Sequence, residues 1–195
     1  MKHLQTCALS LCILLLSLTV SAQRMKLLEG DLSSVKSEKT INTEFTYDNM
    51  KVGKFDKEED YVKTKTADYN KKEAGKGDSW AKKWVDDRQE RFEPHFNDAF
   101  EKTSQMTVTP KAKYTLIYKT TFTEPGAATV VYNKAAQISG EAWIVETENK
   151  SKVIAKISVE KAPGRTWGGF DFETGERIGE AYEMSGKALA RFILK

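Results

Sequence analysis

The sequence predicts an α+β domain: an antiparallel or mixed sheet of about four strands with helices packed on one face, in the order β-α-α-β-β-β-α. Three observations carry this expectation. Apolar residues alternate with a period of two at 41–47, at 114–123 and again through 137–160, as they do where one sheet face is buried and the other wet. Across 57–103, and from 178 towards the C-terminus, they recur at three and four, the spacing of an amphipathic helix. The later strands follow one another without helices between them, unlike the βαβ units of a parallel fold.

The first 22 residues read as an export signal. Met1, Lys2 and His3 form a short basic start, Cys7 to Val20 is apolar, and Val20, Ser21 and Ala22 supply the small residues of a cleavage site. The apolar run falls short of the roughly 18–20 residues of a membrane span, so the expected mature chain begins at Gln23 and has no transmembrane segment. Its expected destination is the periplasm, the cell envelope or the extracellular space. Leu11 precedes Cys12 and the apolar run continues past it, which disfavours a lipid anchor. Both cysteines, Cys7 and Cys12, lie inside the signal, so the mature protein would have no disulfide and no thiolate metal site.

Cleavage leaves 173 of 195 residues, enough for one domain with a buried core. The signal takes one lysine and no acid with it, so the net charge falls from +3 to +2. Lysine and glutamate are interspersed, which describes a solvated surface rather than a nucleic-acid footprint.

Residues 23–38 lack periodicity and read as a loosely ordered lead-in, with a single domain spanning 39–195. Ile41, Thr43, Phe45 and Tyr47 make the first strand, alternating with Asn42, Glu44 and Thr46. A charged helix over 57–74, carrying Tyr61, Val62, Lys65 and Tyr69, ends in the turn Gly75-Lys76-Gly77. Asp78 or Ser79 suits the N-cap of a second helix with Trp80, Trp84, Arg88, Phe92, Phe96 and Phe100 at strict steps of four. Such a stripe drifts by about 40° per step on a straight helix. The segment 79–103 must therefore bend or restart, and Pro94 places that event near Glu93. Strands over 114–123, 137–147 and 152–160 follow, the last two forming a hairpin about the polar tip 148–151. Ile178, Tyr182, Ser185, Leu189, Phe192 and Ile193 then define a helix to the C-terminus, with Lys187, Arg191 and Lys195 favourable near its negative end.

The chain is poor in catalytic signatures. His95 is the one histidine outside the signal, so a polyhistidine zinc site is excluded and no G-x-S-x-G elbow accompanies it. The densest stretch is 164–179, with five glycines and the acids Asp171, Glu173 and Glu176. Its glycine spacing matches neither a Walker A loop nor a dinucleotide fingerprint, and its acids do not follow the EF-hand pattern. No cofactor and no metal are expected. The stretch reads as a strand-to-helix connector in which Asp171 or Thr174 caps the helix. The candidate catalytic residues are Asp171, Glu173 and His95, and the candidate binding residues are Trp167, Phe170 and Arg165.

The strand INTEFTY, the W-x-x-x-W helix, KYTLIYKTTFTEPG and the ending GFDFETGERIGEAYEMSGKALARFILK together resemble a group of small exported bacterial proteins. The resemblance spans most of the mature chain and brings no characterised catalytic motif with it. More distantly, the chain is similar to envelope proteins whose antiparallel sheet packs on helices and ends in a GK-containing helix. The expected function is that of a non-enzymatic envelope or secreted module binding a protein, glycan or lipid partner through a sheet face or a loop. The alternative is a hydrolase of envelope polysaccharide or ester using the carboxylates of 171–176 or His95.

Overall fold

The structure, a computed structural model, describes residues 23–128, 132–164 and 173–195. Arg165, Trp167, Phe170 and Asp171 lie outside the described residues.

The chain runs β1 (Arg24–Gly30), α1 (Ser33–Lys36), β2 (Thr40–Thr46), β3 (Lys51–Val52), α2 (Glu58–Lys72) and α3 (Lys76–Asp87). A π-helical segment (Arg88–Phe92) leads without a break into α4 (Glu93–Ser104). β4 (Thr107–Val108), β5 (Tyr114–Glu124), β6 (Ala127–Ala128), β7 (Asn133–Lys134), β8 (Gln137–Glu146), β9 (Val153–Pro163) and α5 (Thr174–Leu194) complete it.

The fold is α+β with a mixed sheet, and that sheet has seven strands rather than about four. Its order is β1-β9-β8-β5-β2-β4, with β3 also paired to β5, and β6 and β7 form a separate ribbon. β5, β8, β9 and β1 pair antiparallel, whereas β2 runs parallel to both β5 and β4. The helices α2, α3 and α4 supply the long crossover that a parallel β2–β5 pair requires.

The extra strands have physical reasons for escaping a pattern search. In place of a loose lead-in, Arg24–Gly30 is an edge strand on β9, with Met25 opposite Val159 and Leu27 opposite Ile157. A bulge between Leu27 and Glu29 breaks its alternation, and an edge strand has little buried face to record. β3 and β4 are two residues long, too short to carry any period.

One face of the sheet meets α4 and α5. Ile41, Leu116, Tyr118, Ile144, Ile157 and Val159 from the strands interlock with Phe96, Phe100, Ile178, Tyr182, Leu189 and Ile193. Burial of each such side chain contributes about 1.5–3 kcal/mol. Two hydroxyl pairs are matched within this core: Thr120 and Tyr182 share a hydroxyl contact of 2.5 Å, and Ser185 donates to the Tyr118 hydroxyl at 2.8 Å. Closeness of α4 and α5 depends on glycine, since a Cβ on Gly186 would lie 2.4 Å from the Phe96 carbonyl oxygen.

The stripe at steps of four is resolved by two devices. α4 begins at Glu93 with Pro94 in its first turn, as the proline requires. Before it, the wider π turn lowers the rotation per residue and takes up the drift. Trp80, Trp84, Phe92, Phe96 and Phe100 are consequently all buried.

Candidate functional site

The concave surface with the most elaborate floor lies beyond the C-terminal end of β2. The strand ends at Thr46, Tyr47 continues its direction, and Asp48-Asn49 turns the chain, with Asn49 at φ 57°, a conformation that asparagine tolerates. Across the cleft α2 opens with Glu58, Glu59 and Asp60, acids that suit a helix N-terminus.

Glu58 turns inward. Its Oε1 accepts hydrogen bonds from Trp84 Nε1 at 2.6 Å and from the Arg88 guanidinium at 2.5 Å. Arg88 is the first residue of the π segment, and its guanidinium sits 4.3 Å over the ring of Tyr47. The Tyr47 hydroxyl in turn reaches Glu93 Oε1 at 3.4 Å. Side chains of Glu58 and Arg88 are each only 20% exposed, so this chain of charges is largely withdrawn from water. Beneath Tyr47 the packing closes against Trp84, Phe92 and Tyr182, leaving about 10 Å³.

Burial drives the Tyr47 hydroxyl far above the ordinary phenol range; the charge of Glu93 adds to this and that of Arg88 opposes it. Burial likewise raises the Glu93 carboxyl, against the Tyr47 hydrogen bond and Arg88. Above this floor the cleft opens to about 1150 Å³, its rim formed by Thr46, Asp48, Asn49, Lys51, Lys57 and Glu59. The rim offers donors and acceptors of both signs, with Lys51 and Asp56 paired at 2.7 Å.

The residues singled out from sequence sit elsewhere. Glu173 immediately precedes α5 and makes no side-chain cap, and Thr174, an expected cap, is instead the first helical residue. Asp87, 3% exposed, packs against that helix end: a Cβ on Gly175 would lie 1.9 Å from its Oδ2. Arg91 Nε lies 2.7 Å from Asp87 Oδ1, without the angle of a hydrogen bond, and the same guanidinium pairs with Glu176. Burial raises the Asp87 carboxyl, opposed by Arg91 and Lys83. His95 lies on α4 against α5, where a Cβ on Gly179 would stand 3.2 Å from its Nδ1, a buried nitrogen with no hydrogen-bond partner. Neither Glu173 nor His95 lines the cleft.

On the other face of the sheet, Trp143 lies between Lys119 and Lys156, whose ammonium nitrogens are 3.2 and 4.4 Å from its ring centre. Its indole N–H donates to Glu141 at 2.7 Å, and Lys156 also pairs with Glu29 at 2.6 Å.

Tyr47, Glu58, Arg88 and Glu93 were not among the residues predicted from sequence to act. One signal for them existed: Arg88 is the single charged residue in the stripe of tryptophans and phenylalanines, and a charge at a core position needs a partner.

Fold and cleft together define a mixed-sheet α+β domain with a polar cleft beyond the end of its second strand. No family model matches the chain, and no curated protein matches it. Among solved structures it is similar to the PelC dodecamer from Paraburkholderia phytofirmans, at 8% identity and a TM-score of 0.37, covering 84% of this chain and 96% of that one. A point variant of that dodecamer gives 8% identity and 0.35 over the same shares. Overlap at this level bears on neither fold nor function. No helix among the described residues is long and apolar enough to cross a membrane, and among them no cluster of three His, Cys, Asp or Glu side chains could hold a metal ion.

Proposed function

We propose that this protein is an exported, non-enzymatic module of the cell envelope or secreted space that binds a glycan in the cleft above Tyr47 and Arg88. One observation carries the reading: the charges of the cleft floor are already matched to one another, Glu58 to Trp84 and Arg88, beneath a wide polar rim. A floor so arranged is rigid and preorganised, and a rim of mixed donors and acceptors suits a hydroxyl-rich ligand. A lipid chain would call for an apolar groove instead.

The same geometry weighs against the hydrolytic alternative at this place. Glu58, the acid of the cleft floor, is committed to two hydrogen bonds, and Glu173 and His95 stand outside the cleft.

Purified mature protein is titrated with fragments of envelope polysaccharide, beside variants of the rim, Asp48→Ala and Lys57→Ala, that leave the floor intact. Saturable binding weakened by both variants supports the reading. Binding unchanged in both removes the cleft from it. Turnover in a hydrolysis screen that vanishes in His95→Ala or Glu173→Gln would establish the enzyme instead. N-terminal sequencing of the protein recovered from fractionated cells tests export, with Gln23 the expected first residue.

A further inference from the structure

The sheet ends at β1, and among the described residues no strand pairs with its outer side. An edge of this kind presents unpaired amides and carbonyls, and natural sheets guard it with charge or with a bulge. β1 has both: the bulge between Leu27 and Glu29, and the exposed side chains of Arg24, Lys26 and Glu29. Two neighbouring leucines are also left in water at its centre, Leu27 at 37% and Leu28 at 49% exposure.

The charges are sorted by sign along the strand. Arg24, Lys26 and Glu29 stand opposite Glu160, Ser158 and Lys156 of β9, alternate residues that share one face of the sheet. Asp31 follows where its amide meets the Ile154 carbonyl at 3.2 Å, the next step of the same alternation. This face is turned away from the helices, since the intervening residues of β9, Ala155, Ile157 and Val159, are buried in the core. From Arg24 to Asp31 the edge reads R-M-K-L-L-E-G-D: two cations, two leucines, two acids.

A strand of this order is complementary to itself run backwards. Where Leu27 stands opposite the partner's Leu28, a two-fold axis sets Lys26 against the partner's Glu29 and Arg24 against the partner's Asp31, and each pair occurs twice. Parallel pairing in register would instead bring like charges together. The groups of the central pair are accessible: Lys26 is exposed, and Glu29, which meets Lys156 through Oε2 at 2.6 Å, keeps 58% of its side chain exposed. Asp31 already accepts from the Ser33 amide at 2.7 Å, so the pair of Lys26 with the partner's Glu29 is the better one to test.

We propose that the outer edge of β1 is an interface between two copies of this chain, which pair antiparallel through residues 24–31 and join their sheets into one. The charges that guard the edge against a foreign strand are matched by a second copy running the other way. The cleft beyond β2 lies towards the opposite edge of the sheet, so the proposal is independent of what the cleft binds.

The mature protein is examined by sedimentation velocity over a concentration series at low and at high salt. A monomer-dimer equilibrium is expected, weak because one strand pair is a small interface, and weaker at high salt. Lys26→Glu sets carboxylate against carboxylate at both symmetry-related pairs, and Glu29→Lys sets ammonium against ammonium. Each variant alone should therefore dimerise about tenfold or more weakly than wild type. An equimolar mixture of the two variants restores the opposite-charge pairs and should recover association between unlike chains, followed with a fluorophore on one of them. Melting temperatures close to that of wild type show that both variants are folded. A monomer at every concentration, dimers unaffected by either substitution, or a mixture that associates no better than the variants alone overturns the proposal.

Discussion

Replacing Arg88 with methionine keeps much of the side chain's length but removes the guanidinium that Glu58 and Tyr47 share. An exposed ion pair would contribute about 0–1 kcal/mol, whereas stripping one partner from a fully buried pair costs about 3–5 kcal/mol. Both side chains are one-fifth exposed, and Glu58 keeps the Trp84 N–H, so the expected loss lies between, at about 2 kcal/mol. The cation over the Tyr47 ring adds about 0.5–1 kcal/mol. The sum is about 2–3 kcal/mol, or a fall in melting temperature of roughly 4–12 °C for a chain of this size.

The assay is a denaturant melt of four proteins: wild type, Arg88→Met, Glu58→Gln and the double variant. Because the second substitution removes the stranded charge, the double variant should be more stable than the two single losses added together, by about 1 kcal/mol or more. An Arg88→Met protein within about 0.5 kcal/mol of wild type, or a cycle with no coupling, would refute the reasoning and return Arg88 to the class of solvated charges.

Gly186→Ala should destabilise by about 1–3 kcal/mol through its clash with the Phe96 carbonyl, whereas at an open helical site the same change stabilises by up to about 1 kcal/mol; the sign of the change in a urea melt decides. Tyr182→Phe leaves the fully buried Thr120 hydroxyl without its partner, an expected cost of about 1–2 kcal/mol on the same measurement. Asp87 tests the pH dependence: burial raises its carboxyl in the folded state, so its contribution is fully present below the unfolded value near pH 4 and is lost as pH rises through the folded value. Asp87→Asn lacks that loss, and its stability relative to wild type should therefore increase from pH 4 to pH 7, whatever constant offset the missing Arg91 contact introduces. A difference that stays flat or falls with pH would contradict the burial argument.

What the sequence recorded was burial with a period. β2, β5, β8 and β9 have one face on the helices and one outward, so their alternation marks them to within a few residues of Thr40–Thr46, Tyr114–Glu124, Gln137–Glu146 and Val153–Pro163. β1 carries the same kind of backbone pairing, yet its hydrogen bonds leave no trace in residue type once a bulge interrupts the alternation. Parallel pairing of β2 with β5 is a matter of crossover, which no local pattern encodes.

The site was hidden for a related reason. Tyr47, Glu58, Arg88 and Glu93 come from four different places in the chain, and each has an adequate local explanation: strand alternation, an acidic first turn, a helix stripe, and the residue before a proline. Only the stripe was over-determined. Six large side chains at strict steps of four cannot share a face of one α-helix, and five of them are aromatic while the third is an arginine. A proline restart at Glu93 accounts for the phenylalanines after it, but not for Phe92 and Trp84 on either side of Arg88. The π segment settles both demands at once. It returns Phe92 to the core, and it begins at the one stripe residue whose side chain must end among hydrogen-bond acceptors rather than carbon. An aromatic stripe whose period is wrong for an α-helix and whose middle member is charged therefore points to a local change of helix geometry and to a polar site beside it.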